Sequence, residues 1–250
     1  MPLLTTGNGN FGESRIGTTR WTAVLFTCTL LLTGCAGSSP GGEVAQPRVK
    51  TAAPPTAGAT GSALAQLATL PVKGRAPKTG YSRTQFGPAW ADVDRNGCDT
   101  RNDILARDLT AETFRAGTHN CVVLSGQLRD PYTGRTVSFS KSQASAVQID
   151  HVVSLSNAWQ TGGQALSPGR REAFANDRLN LLAVDGPTNQ AKSDSDAATW
   201  LPPDRSYRCA MVARQIAVKA AYLLWVTAAE REAMARVLSS CPQQASPGRS

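Results

Sequence analysis

After residue 32 the 250-residue chain has no apolar run approaching the roughly twenty residues needed to cross a bilayer, so nothing downstream reads as a transmembrane helix. No two cysteines stand two to four residues apart, which sets zinc knuckles and ribbons aside. Aromatic residues make up 6 % of the chain and form no stripe, and no recognition helix is evident. Both absences count against a sequence-specific reader of nucleic acid. Acidic residues are the minority, 18 against 26 Lys plus Arg, for a formal charge of +8. Between Arg75 and Ser250 the count is 21 basic against 16 acidic, 21 − 16 = +5, a modest balance. It suits a polyanionic partner, and it suits solubility charge on an exported protein almost as well.

What is present begins with an address. Arg15 and Arg20 precede an apolar segment from Trp21 to Leu32, too short to span and of the length of an export signal. Leu32-Thr33-Gly34-Cys35 resembles the lipobox of bacterial lipoproteins, in which the cysteine thiol accepts a diacylglycerol. The expectation is a signal over residues 1–35 and a lipid anchor on Cys35, holding the protein on the outer face of the cytoplasmic membrane or at the cell surface. Residues 36–74 are rich in Gly, Ala, Pro, Ser and Thr and read as a disordered tether. Residues 75–241 have the size of one folded domain, and residues 242–250 read as a disordered tail. With Cys28 in the signal and Cys35 lipidated, four cysteines remain, an even number in an oxidising compartment, which argues for two disulfides.

Within the domain, Ala210 to Trp225 carries apolar residues at helical spacing, and Thr227-Ala228-Ala229-Glu230 is a capping box opening a second helix. An antiparallel helical hairpin brings Cys209 and Cys241 to one end. Three pairings are open in principle, and this topology favours Cys209 with Cys241 and Cys98 with Cys121. Cys121 to Gly126 and Thr136 to Phe139 are strand-like around the turn residues Asp130-Pro131-Tyr132-Thr133-Gly134, a β-hairpin. Ala146 to Ile149 runs into Asp150-His151. Leu179 to Val184 is a further strand, followed by a turn at Asp185-Gly186-Pro187 and a short helix that Thr188 is positioned to cap, carrying Asn189 and Lys192. The fold class is α+β.

Three blocks stand out together: Ile149-Asp150-His151-Val152-Val153-Ser154-Leu155, Ala175-Asn176-Asp177-Arg178-Leu179-Asn180-Leu181 and Asn189-Gln190-Ala191-Lys192-Ser193-Asp194. They resemble the HNH (ββα-metal) nucleases, in particular the exported branch formerly called domain of unknown function 1524, related to the carboxy-terminal domain of a modification-dependent restriction enzyme. Asn96 to Asp103, Asp130 to Gly134 and Trp200-Leu201-Pro202-Pro203 extend the match across most of Tyr81 to Cys241. The resemblance implies a ββα-metal core with an added β-hairpin and a C-terminal helical hairpin. It implies hydrolysis of DNA, or RNA, with Asp150, His151, Asn180 and Asn189 as the catalytic group. Asp150 and Asn189 would supply oxygen to a divalent cation, Mg²⁺ or alternatively Mn²⁺. His151 would be the general base, and Asn180 would hold the loop behind it. Lys192 and Arg101 are candidate phosphate contacts. Ser154 and Gln190 depart from a commoner proline and arginine, and the second change removes one phosphate contact. A monomer with no protein partner is expected.

Three other readings compete. Asp92, Asp94, Asn96, Gly97 and Asp103 follow EF-hand spacing, but position twelve is Asp and Cys98 interrupts the loop, so an Asx-rich turn pinned by a disulfide is the default. Ser138 with Lys141, and Lys78-Thr79-Gly80, match two penicillin-binding motifs in reversed order without the third, a chance match. A catalytically silent surface binding domain would keep the fold but has no need of all four central residues.

Overall fold

The computed structural model describes residues 61–248. The export signal, Cys35 and the tether up to residue 60 lie outside the described residues. The sheet that positions the site has two antiparallel strands, β4 (Val147–His151) and β5 (Leu181–Asp185), with Ile149 opposite Ala183, Asp150 opposite Leu182 and His151 opposite Leu181. Side chains alternate across a strand, and here both faces are covered. Leu182 and Val184 enter one core with Phe86, Tyr132, Phe174 and Met211, while Leu181 and Ala183 enter another with Ile104, Leu105, Val123 and Phe139. Double-sided burial explains why β5 is a continuous apolar run instead of an alternating one.

Helix α5 (Gly186–Lys192) follows β5 directly. Its N-cap is Asp185, whose carboxylate accepts from the Thr188 amide at 2.9 Å and hydroxyl at 2.5 Å. Thr188, expected to cap this helix, is thus a donor to the cap; an aspartate three residues ahead satisfies the free amide first. Gly186 is required where it stands, because a Cβ there would lie 2.0 Å from the Ser145 carbonyl oxygen.

Strands β1 (Leu109–Phe114), β2 (Val123–Arg129) and β3 (Thr136–Ser140) form a three-stranded antiparallel sheet, so the expected hairpin has gained a strand. Half of β1 is exposed, and its mixed polar composition hid it from a hydrophobic-period reading. The turn after β2 is built on buried Asp130, which accepts from Thr133 N and Gly134 N and also from Asp185 N at 3.0 Å. That last bond ties the turn to the start of α5. Helix α2 (Thr100–Asp108), capped by Asp99, packs beneath this sheet, and Cys98–Cys121 joins its approach to the approach of β2.

Helices α3 (Leu155–Gln160) and α4 (Pro168–Ala175) link the two strands of the site sheet. The helical hairpin is α6 (Arg208–Ala221) and α7 (Ala228–Leu238), with the Thr227–Glu230 capping box formed and Cys209–Cys241 closing one end. Inside it, Lys219 Nζ donates to Glu230 at 2.8 Å and to the Trp225 carbonyl at 3.0 Å.

The boundaries read at both ends need correction. Residues 61–74, assigned to the tether, include helix α1 (Ala63–Thr69), capped by Ser62, with Ala63, Leu67 and Leu70 packed against α6 and α7. Small residues hid an ordinary i, i+4, i+7 apolar face. Within the supposed tail of 242–250, Gln244 accepts from the Ala63 amide at 2.8 Å, and Ala245 bridges to Ser62.

Candidate active site

A cleft of about 660 Å³ opens at the end of β4, lined among others by Arg83, Trp90, Arg101, Gln148, Asp150, His151, Asn189 and Asp194. Neighbouring strand residues face opposite ways, and Asp150 and His151 do so: one reaches Tyr132 and Lys192, the other Trp90 and Ala175. The strand ends at His151, and the cleft wraps around that end, which is how both side chains line it.

The loop beyond is set by buried Asn180. Its Oδ1 accepts from Val153 N at 3.0 Å, its Nδ2 donates to Val153 O at 3.3 Å, and its carbonyl accepts from Val152 N at 2.8 Å. One side chain therefore fixes the turn that carries the chain from β4 to Ser154, the N-cap of α3. Serine at this position caps a helix that a proline could not cap with its side chain.

His151 is buried, with Nε2 2.8 Å from the Ala175 carbonyl oxygen. A carbonyl can only accept, so Nε2 carries the hydrogen and Nδ1 keeps its lone pair. Burial pushes the imidazole down to about 4, the charges of Arg83 and Lys192 push the same way, and the Ala175 bond opposes them. The ring is accordingly neutral near pH 7. The indole of Trp90 stacks on it at 6.1 Å with 15° between planes, and Trp90 itself adopts a left-handed backbone (φ 59°).

Asp150 is held on both oxygens. Tyr132 Oη donates to Oδ2 at 2.5 Å and Lys192 Nζ to Oδ1 at 2.8 Å, the ammonium also donating to His151 O at 2.9 Å. Burial raises the carboxyl, and Lys192 and Tyr132 pull it back. The phenol of Tyr132 is pushed well above its ordinary range by burial and by Asp150, so it stays protonated as a donor.

Lys192, expected to contact phosphate, is 0 % exposed and points inward. A buried carboxylate left unpaired is strongly disfavoured, and one helical turn beyond Asn189 places the Lys192 ammonium on it. Arg101 does line the cleft, with one guanidinium nitrogen 3.4 Å from Val147 O, and burial lowers its pKa. Asn189 lines it too. Its Nδ2 donates to Gln148 Oε1 at 2.9 Å, and Oδ1 accepts no hydrogen bond among the described residues. Lys78 at the rim pairs with Asp194 at 3.0 Å.

Sequence reasoning missed Tyr132, Trp90 and Arg83. Tyr132 stood inside a block read as turn chemistry and as part of the family resemblance, with no role given to the tyrosine itself; a large aromatic among small and polar turn residues was the available signal, and the structure buries it fully. Trp90 and Arg83 belong to an irregular segment with no period to read. Away from the cleft, Asp92 accepts from the amides of Asn96 and Gly97, an Asx turn, and no group of three or more His, Cys, Asp or Glu side chains able to hold a metal occurs among the described residues. Ser138 Oγ donates to Gln127 on the neighbouring strand, an ordinary sheet contact.

The fold and cleft define a class: a disulfide-stabilised α+β domain with a buried Asp-His pair at a strand end, facing a cleft with basic residues on its walls. The chain belongs to the family described as GmrSD restriction endonucleases, C-terminal domain, whose model matches residues 99–237, more than half of its length. It is also 39 % identical over 190 residues to an uncharacterized secreted protein of Arthroderma benhamiae, covering 75 % of this chain and 89 % of that protein. No solved structure matches. The family is nuclease-related.

His151 has a folded pKa near 4 against 6.5 for the free side chain, so between those values the unfolded chain binds the proton more readily. Stability tied to the neutral ring is full above pH 6.5 and falls, by about 3 kcal/mol, as pH drops toward 4. Urea unfolding across this window should show that slope in the parent and a smaller one in His151→Gln. Equal slopes would mean that the ring is not the titrating group.

Proposed function

We propose that this chain is a metal-dependent endonuclease of the HNH (ββα-metal) type, hydrolysing DNA phosphodiester bonds with little sequence preference outside the cytoplasm. The observation that carries the reading is the state of His151: neutral, anchored through Nε2, with Nδ1 as the one ring nitrogen able to take a proton from water in the cleft. The order β4, β5, α5 supports it, because one strand end and one following helix supply Asp150, His151 and Asn189 to the same cleft. Family membership supports it independently.

The donor set fits a hard cation in kind. Asp150 Oδ1 retains lone pairs beyond the one Lys192 uses, and the Asn189 amide oxygen is not hydrogen-bonded within the described residues. Magnesium characteristically takes one or two protein oxygens and keeps its waters. When bound, the cation would supply charge for the phosphate and the departing sugar oxygen. The chain itself does the rest. His151 receives the proton of the attacking water at Nδ1, Ala175 holds the ring in place, and Asn180 keeps the loop from drifting. Arg83 and Arg101 bring positive charge to a phosphate in the cleft. Lys192 already neutralises Asp150, so cation affinity without nucleic acid should be weak.

Plasmid nicking by the full-length protein in Mg²⁺, Mn²⁺ and EDTA tests the reading. Cleavage with metal, lost by at least about 100-fold in His151→Ala and in Asp150→Ala, is expected. Activity retained in both variants would reject the site, and none from folded parent on DNA or RNA would favour a silent binding domain.

Lys192→Met gives a second test, read by thermal unfolding. Leaving Asp150 buried without its ammonium should cost about 3–5 kcal/mol, and added Mn²⁺ should recover more of that loss than it adds to the parent. A variant insensitive to Mn²⁺ would count against Asp150 as a ligand.

Export agrees with the secreted relative, and we extend it to a lipid on Cys35. Replacing Cys35 with Ser should move the protein from membranes to the soluble fraction; retention would point to a different anchor.

A further inference from the structure

A second, smaller cavity of about 160 Å³ adjoins the cleft and shares Arg83, Trp90, His151 and Leu155 with it. Its remaining walls are largely apolar, including Phe86, and it reaches Asn176. Asn176 is 1 % exposed; its Nδ2 donates to the Glu172 carbonyl at 3.0 Å. Its Oδ1 has no hydrogen-bond partner among the described residues. An unpaired buried acceptor is disfavoured, and with Nδ2 held on α4, Oδ1 is the polar atom of that side chain left for a visitor.

From this geometry we infer that the side cavity is a nucleobase subsite, which receives one unpaired base of the substrate while its phosphate lies in the cleft. The inference rests on the proposed nuclease activity. Largely apolar walls, an indole and the unpaired Asn176 acceptor suit a planar heterocycle carrying an N–H. Every nucleobase offers such a donor on its Watson–Crick edge, so the subsite accepts all four. In a duplex that edge is already engaged by the opposite strand. The cavity therefore selects unpaired nucleotides and is indifferent to sequence. Arg83 and His151, shared by both spaces, face the phosphate side of the same nucleotide. Trp90, stacked on His151, becomes a positioning residue: a base against the indole presses on the ring that takes the proton.

The test measures binding in EDTA, where cleavage is not required. Full-length protein is titrated against a fluorescent single-stranded oligonucleotide and against one of equal length built from abasic sites, with the anisotropy recorded. Base stacking on an aromatic contributes about 1–3 kcal/mol, so the base-bearing strand should bind roughly 5- to 150-fold tighter. Trp90→Ala and Asn176→Leu should each pull that ratio toward one, while affinity for the abasic strand stays near the parent's. Equal affinity of the parent for the two strands overturns the subsite, and this comparison needs no variant to fold. A ratio unchanged in both folded variants overturns it as well. Cleavage of DNA without base discrimination would leave the nuclease standing and remove the subsite; discrimination without cleavage would do the reverse.

Discussion

A charge inside a protein has to be answered from close by, and the carboxylate of Asp150 is the charge this domain is arranged around. Lys192 answers it from the last turn of α5 and Tyr132 from the turn after β2, so three separate stretches of chain meet on one side chain. Isolated, either ion would be strongly disfavoured in this interior; together they fix the separation of strand, helix and turn. The Asp130 bond to Asp185 N repeats the arrangement at the other end of α5. The helix is thereby held at both ends, and Asn189, between them, cannot shift far from β4.

The same pair sets the character of the cleft. Lys192 already neutralises Asp150, so a cation arriving as proposed would meet a partly satisfied carboxylate, not a bare one. On the proposed function, the charge for phosphodiester chemistry would be assembled only when a polyanion and a cation arrive together. His151 is tuned by different means, burial and a backbone acceptor, so the two side chains can be adjusted separately although they are neighbours in sequence.

Much of this was legible in the residues because strong local rules applied. The capping box at Thr227, the turn at Asp130 and the apolar run of β5 each have a single sensible structure, and the cysteine pairs followed from where those elements put their ends. What was not legible depended on the third dimension. Lys192 looks like any surface lysine one helical turn from a polar residue; only the burial of Asp150 turns it inward. β1 is polar and exists because β2 offers it an edge. Helix α1 is short and alanine-rich, and its apolar face of Ala63, Leu67 and Leu70 has meaning only once α6 and α7 stand opposite. Trp90 and Arg83 sit in irregular chain, where no period announces a role. Asp150 and His151 were drawn out of the sequence by the neighbouring blocks, and although the two side chains point opposite ways, both line the cleft because it wraps around the strand end.

The backbone bridge between Ser62 and Ala245, with the Ala63 amide on Gln244, makes the described domain nearly a closed ring. Force applied at either end is carried first by this short zipper and not by the sheet that holds the site. A short linker would suffice to join the two ends, so the chain could be reopened in an exposed loop elsewhere with the order of its segments permuted and the cleft intact. A partner fused to one end would emerge beside the other.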